Sequence, residues 1–222
     1  MAEFPIAETF ESINGEGTRS GQLAYFIRFP GCNLSCSFCD TTWANKPHNN
    51  WDIRSDTRLV QEVKDSGVKL VTLTGGEPLL QPDLPQLIDK LYQIPGLSVE
   101  IETNGSRPIA EYDHAEHRPL FTLDCKLPGS GMQDAMLYEN YGHLCPEDTV
   151  KFVCGSETDL HRAEEIIERY RLTERCHVFF SPVFGRIEPA DIVSYMITHN
   201  LNGVTLQLQI HKFIWDPNAK GV

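Results

Sequence analysis

The stretch Val68-Lys-Leu-Val-Thr-Leu-Thr74-Gly75-Gly76-Glu77-Pro78 joins a nearly continuous apolar run to a double-glycine turn. A strand that is apolar on both faces belongs in a sheet covered on both sides. Glycines at its end let backbone approach a small polar ligand. Similar runs recur at 22–29, 97–103, 119–124, 149–154, 177–181 and 204–210, and each reads as a strand. Helical patterns lie between them. Leu84, Leu87, Ile88 and Leu91 follow the i, i+3, i+4, i+7 rule, so 83–93 is an amphipathic helix. A second helix spans 56–66, with Gly67 placed to end it. Ser156 and Asp159 form a capping-box pattern opening a helix at 157–171. Pro189 suits the first turn of a helix running to His199. This alternation predicts a parallel α/β sheet. The strands are too few to close an eight-stranded barrel of ~250 residues. The expected architecture is therefore a partial, open β/α barrel of about six parallel strands, one domain over 1–222. Two stretches interrupt the alternation, 40–55 and 127–148, and read as long loops or short irregular helices.

The charge balance narrows the partners. Lys plus Arg total 19 against 31 Asp plus Glu, a net charge of −12. That excludes a broad phosphate-binding surface and favours a small-molecule substrate over nucleic acid. No apolar run reaches the ~18 residues of a membrane span, and the first residues carry no signal-peptide pattern. The expectation is a cytoplasmic protein, whose seven cysteines are thiols or metal ligands rather than disulfides.

Three of those cysteines are clustered in Gly31-Cys32-Asn-Leu-Ser-Cys36-Ser-Phe-Cys39-Asp40. A closed zinc site needs four ligands, commonly two close pairs, and no second pair exists. A redox Cys-x-x-Cys would leave Cys32 without a role. A cubane iron–sulfur cluster on three thiolates keeps one iron open for an outside ligand. Cys125, Cys145, Cys154 and Cys176 are widely spaced and read as packed thiols. The histidines at 48, 114, 117, 143, 161, 177 and 199 are scattered, as surface or hydrogen-bonded residues are.

Cys-x3-Cys-x2-Cys with Phe38 before the last cysteine, followed by Gly75-Gly76-Glu77-Pro78, resembles the radical S-adenosylmethionine (SAM) superfamily. The resemblance implies a [4Fe-4S] cluster on Cys32, Cys36 and Cys39. SAM would fill the open iron site, and its reductive cleavage would yield a 5′-deoxyadenosyl radical. It also implies SAM contacts from Ser37, Phe38, Gly76, Glu102, Asp124, Cys125 and Lys126. Many relatives have Ser-Pro-Lys at 124–126, where this chain has Asp-Cys-Lys.

A narrower resemblance rests on more residues. Glu11-Ser-Ile-Asn-Gly-Glu-Gly17, Phe26-Ile-Arg28 before Gly31-Cys32, and Cys39-Asp-Thr41 are similar to the 7-carboxy-7-deazaguanine synthase family. That family converts 6-carboxy-5,6,7,8-tetrahydropterin to 7-carboxy-7-deazaguanine with loss of ammonia, on the way to queuosine and related deazapurines. The implied route is hydrogen abstraction at C6, ring contraction, return of the hydrogen, and ammonia elimination. By position, Ile13, Asn14, Gly15, Arg28, Thr74 and His211 would meet the substrate, Arg28 through its carboxylate. Thr41 would hold Mg²⁺. An electron donor such as flavodoxin or ferredoxin and a homodimeric state are also implied. Two alternatives remain on the sequence alone: an activase of a glycyl-radical enzyme, and a non-catalytic iron–sulfur electron carrier. The tail 215–222 reads as a cap on the site, a contact with a second subunit, or a frayed end.

Overall fold

The structure is a computed structural model that describes residues 1–45, 50–113, 117–216 and 219–221. Its centre is an eight-stranded sheet. In chain order the strands are β1 (Glu3–Ile6), β2 (Glu8–Ile13), β3 (Leu23–Phe29), β4 (Asp52–Ser55), β5 (Leu70–Gly75), β6 (Ser98–Thr103), β7 (Leu120–Cys125), β8 (Thr149–Cys154), β9 (His177–Pro182) and β10 (Val204–Leu206). The helices are α1 (Asp56–Ser66), α2 (Leu84–Leu91), α3 (Glu157–Tyr170), α4 (Pro189–Thr198) and α5 (His211–Ile214). The sheet order is β10-β9-β8-β7-β6-β5-β3-β2. All neighbours pair in parallel except β2, which runs antiparallel to β3 at one edge. With β10 and β2 at opposite edges, the sheet is an open partial barrel, as expected, but with seven parallel strands rather than about six.

The helix ends follow their local chemistry. Ser55 accepts from the Arg58 amide to open α1, and Gly67 closes it in the left-handed region at φ 71°. Ser156 caps α3 by accepting from the Asp159 amide. The capping box is only half made, because the Asp159 carboxylate turns to the amides of Gly129 (2.7 Å) and Gly155 (2.9 Å). It thereby ties α3 to the loop after β7. α2 buries the four leucine and isoleucine positions that its periodicity marks. The core lies between sheet and helices, with Phe29, Phe121, Phe152 and Phe180 among its fully buried side chains. Cys125 and Cys154 are buried there as packed thiols.

Two expectations need correction. The run at 204–210 is a strand only over Val204–Leu206, after which the chain turns into α5. The polar stretch 40–55 contains β4, which pairs antiparallel with β1 in a separate two-stranded sheet. Neither β1, β4 nor β2 has a long apolar run, so periodicity passes over them. The other interruption, 127–148, folds into short 3₁₀ turns at Pro128–Ser130, Gln133–Ala135 and Tyr138–His143. His48 and His114 lie outside the described residues. Among the described residues, no helix is long and apolar enough to cross a membrane.

Candidate active site

Parallel strands end on one rim, and the loops beyond that rim share a cavity. β3 carries Arg28 to the rim and then delivers the cysteine loop. β5 ends in the double-glycine turn, β6 in Glu102, and β7 in Asp124. These residues, with Cys32, Cys36, Cys39, Phe38, Thr41, Thr74, Gly76 and Lys126, line one cavity of about 610 Å³. Ile13 at the end of β2 and Gly15 in the turn after it reach the cavity, and His211 reaches it from α5.

The double-glycine turn lies on the cysteine loop. The Gly76 amide donates to the Phe29 carbonyl at 3.0 Å, and the Glu77 amide to the Gly31 carbonyl at 2.9 Å. Glu77 itself is buried, which pushes its carboxyl above the usual range. It accepts from the Asn104 amide (2.7 Å), the Thr103 hydroxyl (2.8 Å) and the Leu79 amide (3.0 Å). One carboxylate thus pins the loop ends of β5 and β6 beside the cysteines.

The three cysteines suit a cubane cluster. No three His, Cys, Asp or Glu side chains among the described residues converge on a single point, as one metal ion would need. A cubane instead spreads its thiolates over three separate irons. Amide donors face the sulfurs: Asn104 Nδ2 and the Leu34 amide each lie 3.4 Å from Cys32 Sγ, and Asn45 Nδ2 lies 3.9 Å from Cys39 Sγ. Such donors stabilise cluster-bound thiolates. Burial pushes the Cys36 and Cys39 thiols up, so loading a cluster there releases protons. Among the described residues, Glu16 Oε1 and Asn45 Oδ1 are buried without hydrogen-bond partners, and both residues face the cavity. They are free acceptors for a polar ligand.

The floor is a charged network. Lys151 in β8 bonds Glu16 and lies 3.0 Å from Asp124 Oδ1. Burial alone would lower the Lys151 ammonium's pKa; Asp124, Glu16 and Glu102 overcome it and hold the group protonated. Lys126 Nζ donates to Asp124 Oδ2 at 2.7 Å. Burial also opposes the charge on Asp124, yet the two lysines bring its carboxyl below the usual range. Glu102 accepts from the Thr74 hydroxyl at 2.8 Å, and burial pushes its carboxyl up to about 7. It can donate or accept a proton near neutral pH. At the mouth, Arg28 Nε donates to Glu8 Oε1 at 2.8 Å, while Thr41 donates to Asp40 Oδ1 at 2.9 Å.

Three residues expected at the site do not present their side chains to the cavity. Asn14 is fully buried below it, donating to Glu100 Oε2 at 2.7 Å and reaching Thr72. The Cys125 thiol points into the core, because its place in β7 puts it on the face opposite Asp124. The Ser37 hydroxyl donates to the Gly129 carbonyl at 2.7 Å and accepts from Arg186. Lys151 and Glu16 escaped the sequence reading of the site. Their signals were a lone lysine in the apolar run Thr149-Val-Lys-Phe-Val-Cys154 and a glutamate between two glycines. The tail contributes Ala219, Lys220 and Gly221 to the cavity lining, with the Lys220 ammonium 4.4 Å above the Trp43 ring. Pro217, Asn218 and Val222 lie outside the described residues.

The model of the Radical SAM superfamily matches residues 26–124, the part that supplies the cysteine loop and the turns after β5 and β6. The chain is 47% identical to the 7-carboxy-7-deazaguanine synthase of Clostridium acetobutylicum, over 99% of both chains. The chain belongs to the 7-carboxy-7-deazaguanine synthase family, within the radical SAM superfamily. The enzyme of that name from Chlorobaculum tepidum is 34% identical, over 100% of this chain and 98% of its own. The crystal structure of QueE from Escherichia coli matches the fold with a TM-score of 0.74 at 24% identity, covering 93% of each chain. Family membership implies a [4Fe-4S] cluster and SAM, and the cysteine loop fits that pair. The activase and electron-carrier alternatives give way to it.

Proposed function

We propose that this chain converts 6-carboxy-5,6,7,8-tetrahydropterin to 7-carboxy-7-deazaguanine and ammonia, in deazapurine biosynthesis. One observation carries the reading: a single cavity joins the three-cysteine loop to Ile13, Gly15, Arg28 and His211. The cluster and SAM, when bound, supply the hydrogen-abstracting radical. The chain's own residues bind, orient and neutralise.

Arg28 pairs with the substrate carboxylate, exchanging part of its bond to Glu8 for a two-pronged one. Thr41 offers its hydroxyl to a Mg²⁺ that also binds this carboxylate, since Mg²⁺ commonly takes few protein ligands plus substrate oxygens. Asp40, exposed beside it at the cavity mouth, is held ionised: partial desolvation would raise its carboxyl, but the Thr41 hydroxyl, Lys212 and Arg28 bring it below the usual range. Thr74 and His211 face the heterocycle, and Glu102, which accepts from Thr74, reaches SAM. Burial lowers the His211 imidazole, so it stays neutral and can accept a hydrogen bond. Phe38 and Gly76 meet SAM, with Asp124 and Lys126 beside them. An electron donor of the flavodoxin or ferredoxin class reaches the exposed side of the cysteine loop. The protein acts in the cytoplasm as a homodimer.

The test is anaerobic turnover of reconstituted protein with SAM, Mg²⁺ and the tetrahydropterin, with product identified by mass spectrometry. Formation of 7-carboxy-7-deazaguanine, lost in Cys36→Ala, is the expected result. SAM cleavage without the deazaguanine product would overturn the substrate, and wild-type-like cleavage in Cys36→Ala would overturn the cluster ligands.

A further inference from the structure

The turn after β2 is held from below by residues of β6, β8 and the segment past β10. Asn14 reaches Glu100 in β6, and Glu16 bonds Lys151 in β8. Gly17 makes the third and longest tie, to Gln207 just past β10. The Gly17 amide donates to Gln207 Oε1 at 2.6 Å, and Gln207 Nε2 donates to the Gly17 carbonyl at 2.9 Å. A side-chain amide here exchanges both hydrogen bonds with one residue, as a hydrogen-bonded pair of antiparallel strands does. The Gln207 amide nitrogen of the main chain in turn donates to the Phe180 carbonyl at 2.8 Å, extending the β9–β10 ladder.

Gln207 thus spans the open seam of the sheet. Its backbone belongs to the β10 edge, and its side chain grips the turn that leaves β2 at the other edge. Both Gly17 and Gln207 are buried. Gly17 sits at φ 71°, and a Cβ there would lie 3.0 Å from the Thr122 hydroxyl, so the close approach requires glycine. Two residues earlier, a Cβ on Gly15 would lie 2.5 Å from His211 Nδ1. The height of this turn therefore sets where Gly15 and His211 meet. Gln207 itself does not line the cavity, so any effect it has on a ligand passes through the turn.

We propose that Gln207 is a positioning residue: its side-chain amide closes the seam between the sheet edges and sets the place of the 13–17 turn on the cavity wall. The consequence for the pterin rests on the function proposed above. The hydrogen bonds of Gln207 go to Gly17 and Phe180, not to the loops after β3, β5, β6 and β7 that would meet SAM.

The experiment uses the full-length, cluster-loaded protein and Gln207→Glu, which turns the donor facing the Gly17 carbonyl into an acceptor. Gln207→Met, of similar length and uncharged, is the second variant if the first folds poorly. Amide hydrogen exchange over residues 13–21 is measured without substrate, beside dissociation constants for the tetrahydropterin and SAM. Expected are exchange at least tenfold faster in that segment, pterin affinity at least tenfold weaker, and SAM affinity and iron content unchanged. Unchanged exchange overturns the proposal. Faster exchange with unchanged pterin affinity overturns the positioning role. If the wild type binds no pterin but exchange still accelerates, the seam closure stands and the proposed function fails.

Discussion

Adding one methyl group at Gly76 tests how the site is assembled. A Cβ built there would lie 1.8 Å from the Gly31 carbonyl oxygen, 2.3 Å from its carbon, and 2.5 Å from Asn45 Oδ1. Carbon and oxygen rest no closer than about 3.3 Å. Two of the three contacts are backbone, so no side-chain rotation relieves them, and the turn must retreat by about 1 Å or more. The retreat breaks the Gly76–Phe29 and Glu77–Gly31 hydrogen bonds. Two such bonds contribute about 1 kcal/mol each, and overpacking adds about 1–3 kcal/mol. The expected loss is about 3–5 kcal/mol, a large part of a typical domain's stability. Urea unfolding of cluster-free Gly76→Ala measures it. Iron content after anaerobic reconstitution and SAM affinity measure the damage to the loop. Gly142→Ala is the control, since no described residue beyond its chain neighbours has an atom within 4 Å of a Cβ there. A Gly76→Ala protein within about 1 kcal/mol of wild type, with normal iron and SAM binding, would refute the close seating of the turn on the cysteine loop.

Arg28→Ala is expected to weaken pterin binding about 10- to 100-fold, the worth of one charge-assisted bond of about 1.5–3 kcal/mol, with SAM affinity unchanged; Arg28→Lys loses much of the same, and equal losses for both ligands would mean that Arg28 only supports β3. Thr41→Ala is expected to shift the Mg²⁺ titration of turnover to higher concentration with cluster content intact, and an unchanged titration counts against the Mg²⁺ assignment. Asp56 is fully buried, and its carboxyl is held well below the usual range by Lys90 (2.6 Å) and the Ala2 and Thr57 amides. Because the folded-state pKa is depressed, this stabilisation is complete above the unfolded value of about 3.9 and is lost as pH falls through the folded value. Asp56→Asn should therefore cost about 2 kcal/mol at pH 7, with the gap to wild type closing below pH ~4; a gap independent of pH across that range would show that the charge is not what holds the N-terminus to α1.

The sequence by itself determined the elements whose side chains face apolar surroundings on a regular period. β3 and β5 through β9, together with α1 to α4, are legible because burial on both faces of a strand, or along one stripe of a helix, leaves a repeating signal. The cysteine loop and the double-glycine turn were legible for another reason: their chemistry demands particular residues at fixed spacing. β1, β2 and β4 left no such signal, since edge and two-stranded pairings are half solvated and polar. The site was legible where residues stand next to a motif, as Arg28, Phe38, Thr41 and Gly76 do. Only the tertiary structure decided which way the remaining side chains point. Cys125 and Asp124 are neighbours, yet the pleat sends one into the core and the other into the cavity. Glu16 and Lys151, and Gly17 and Gln207, are far apart in sequence, and each pair meets because the open sheet curls until its two edges face each other. No local pattern encodes such a meeting; it is set by the registers of all eight strands together.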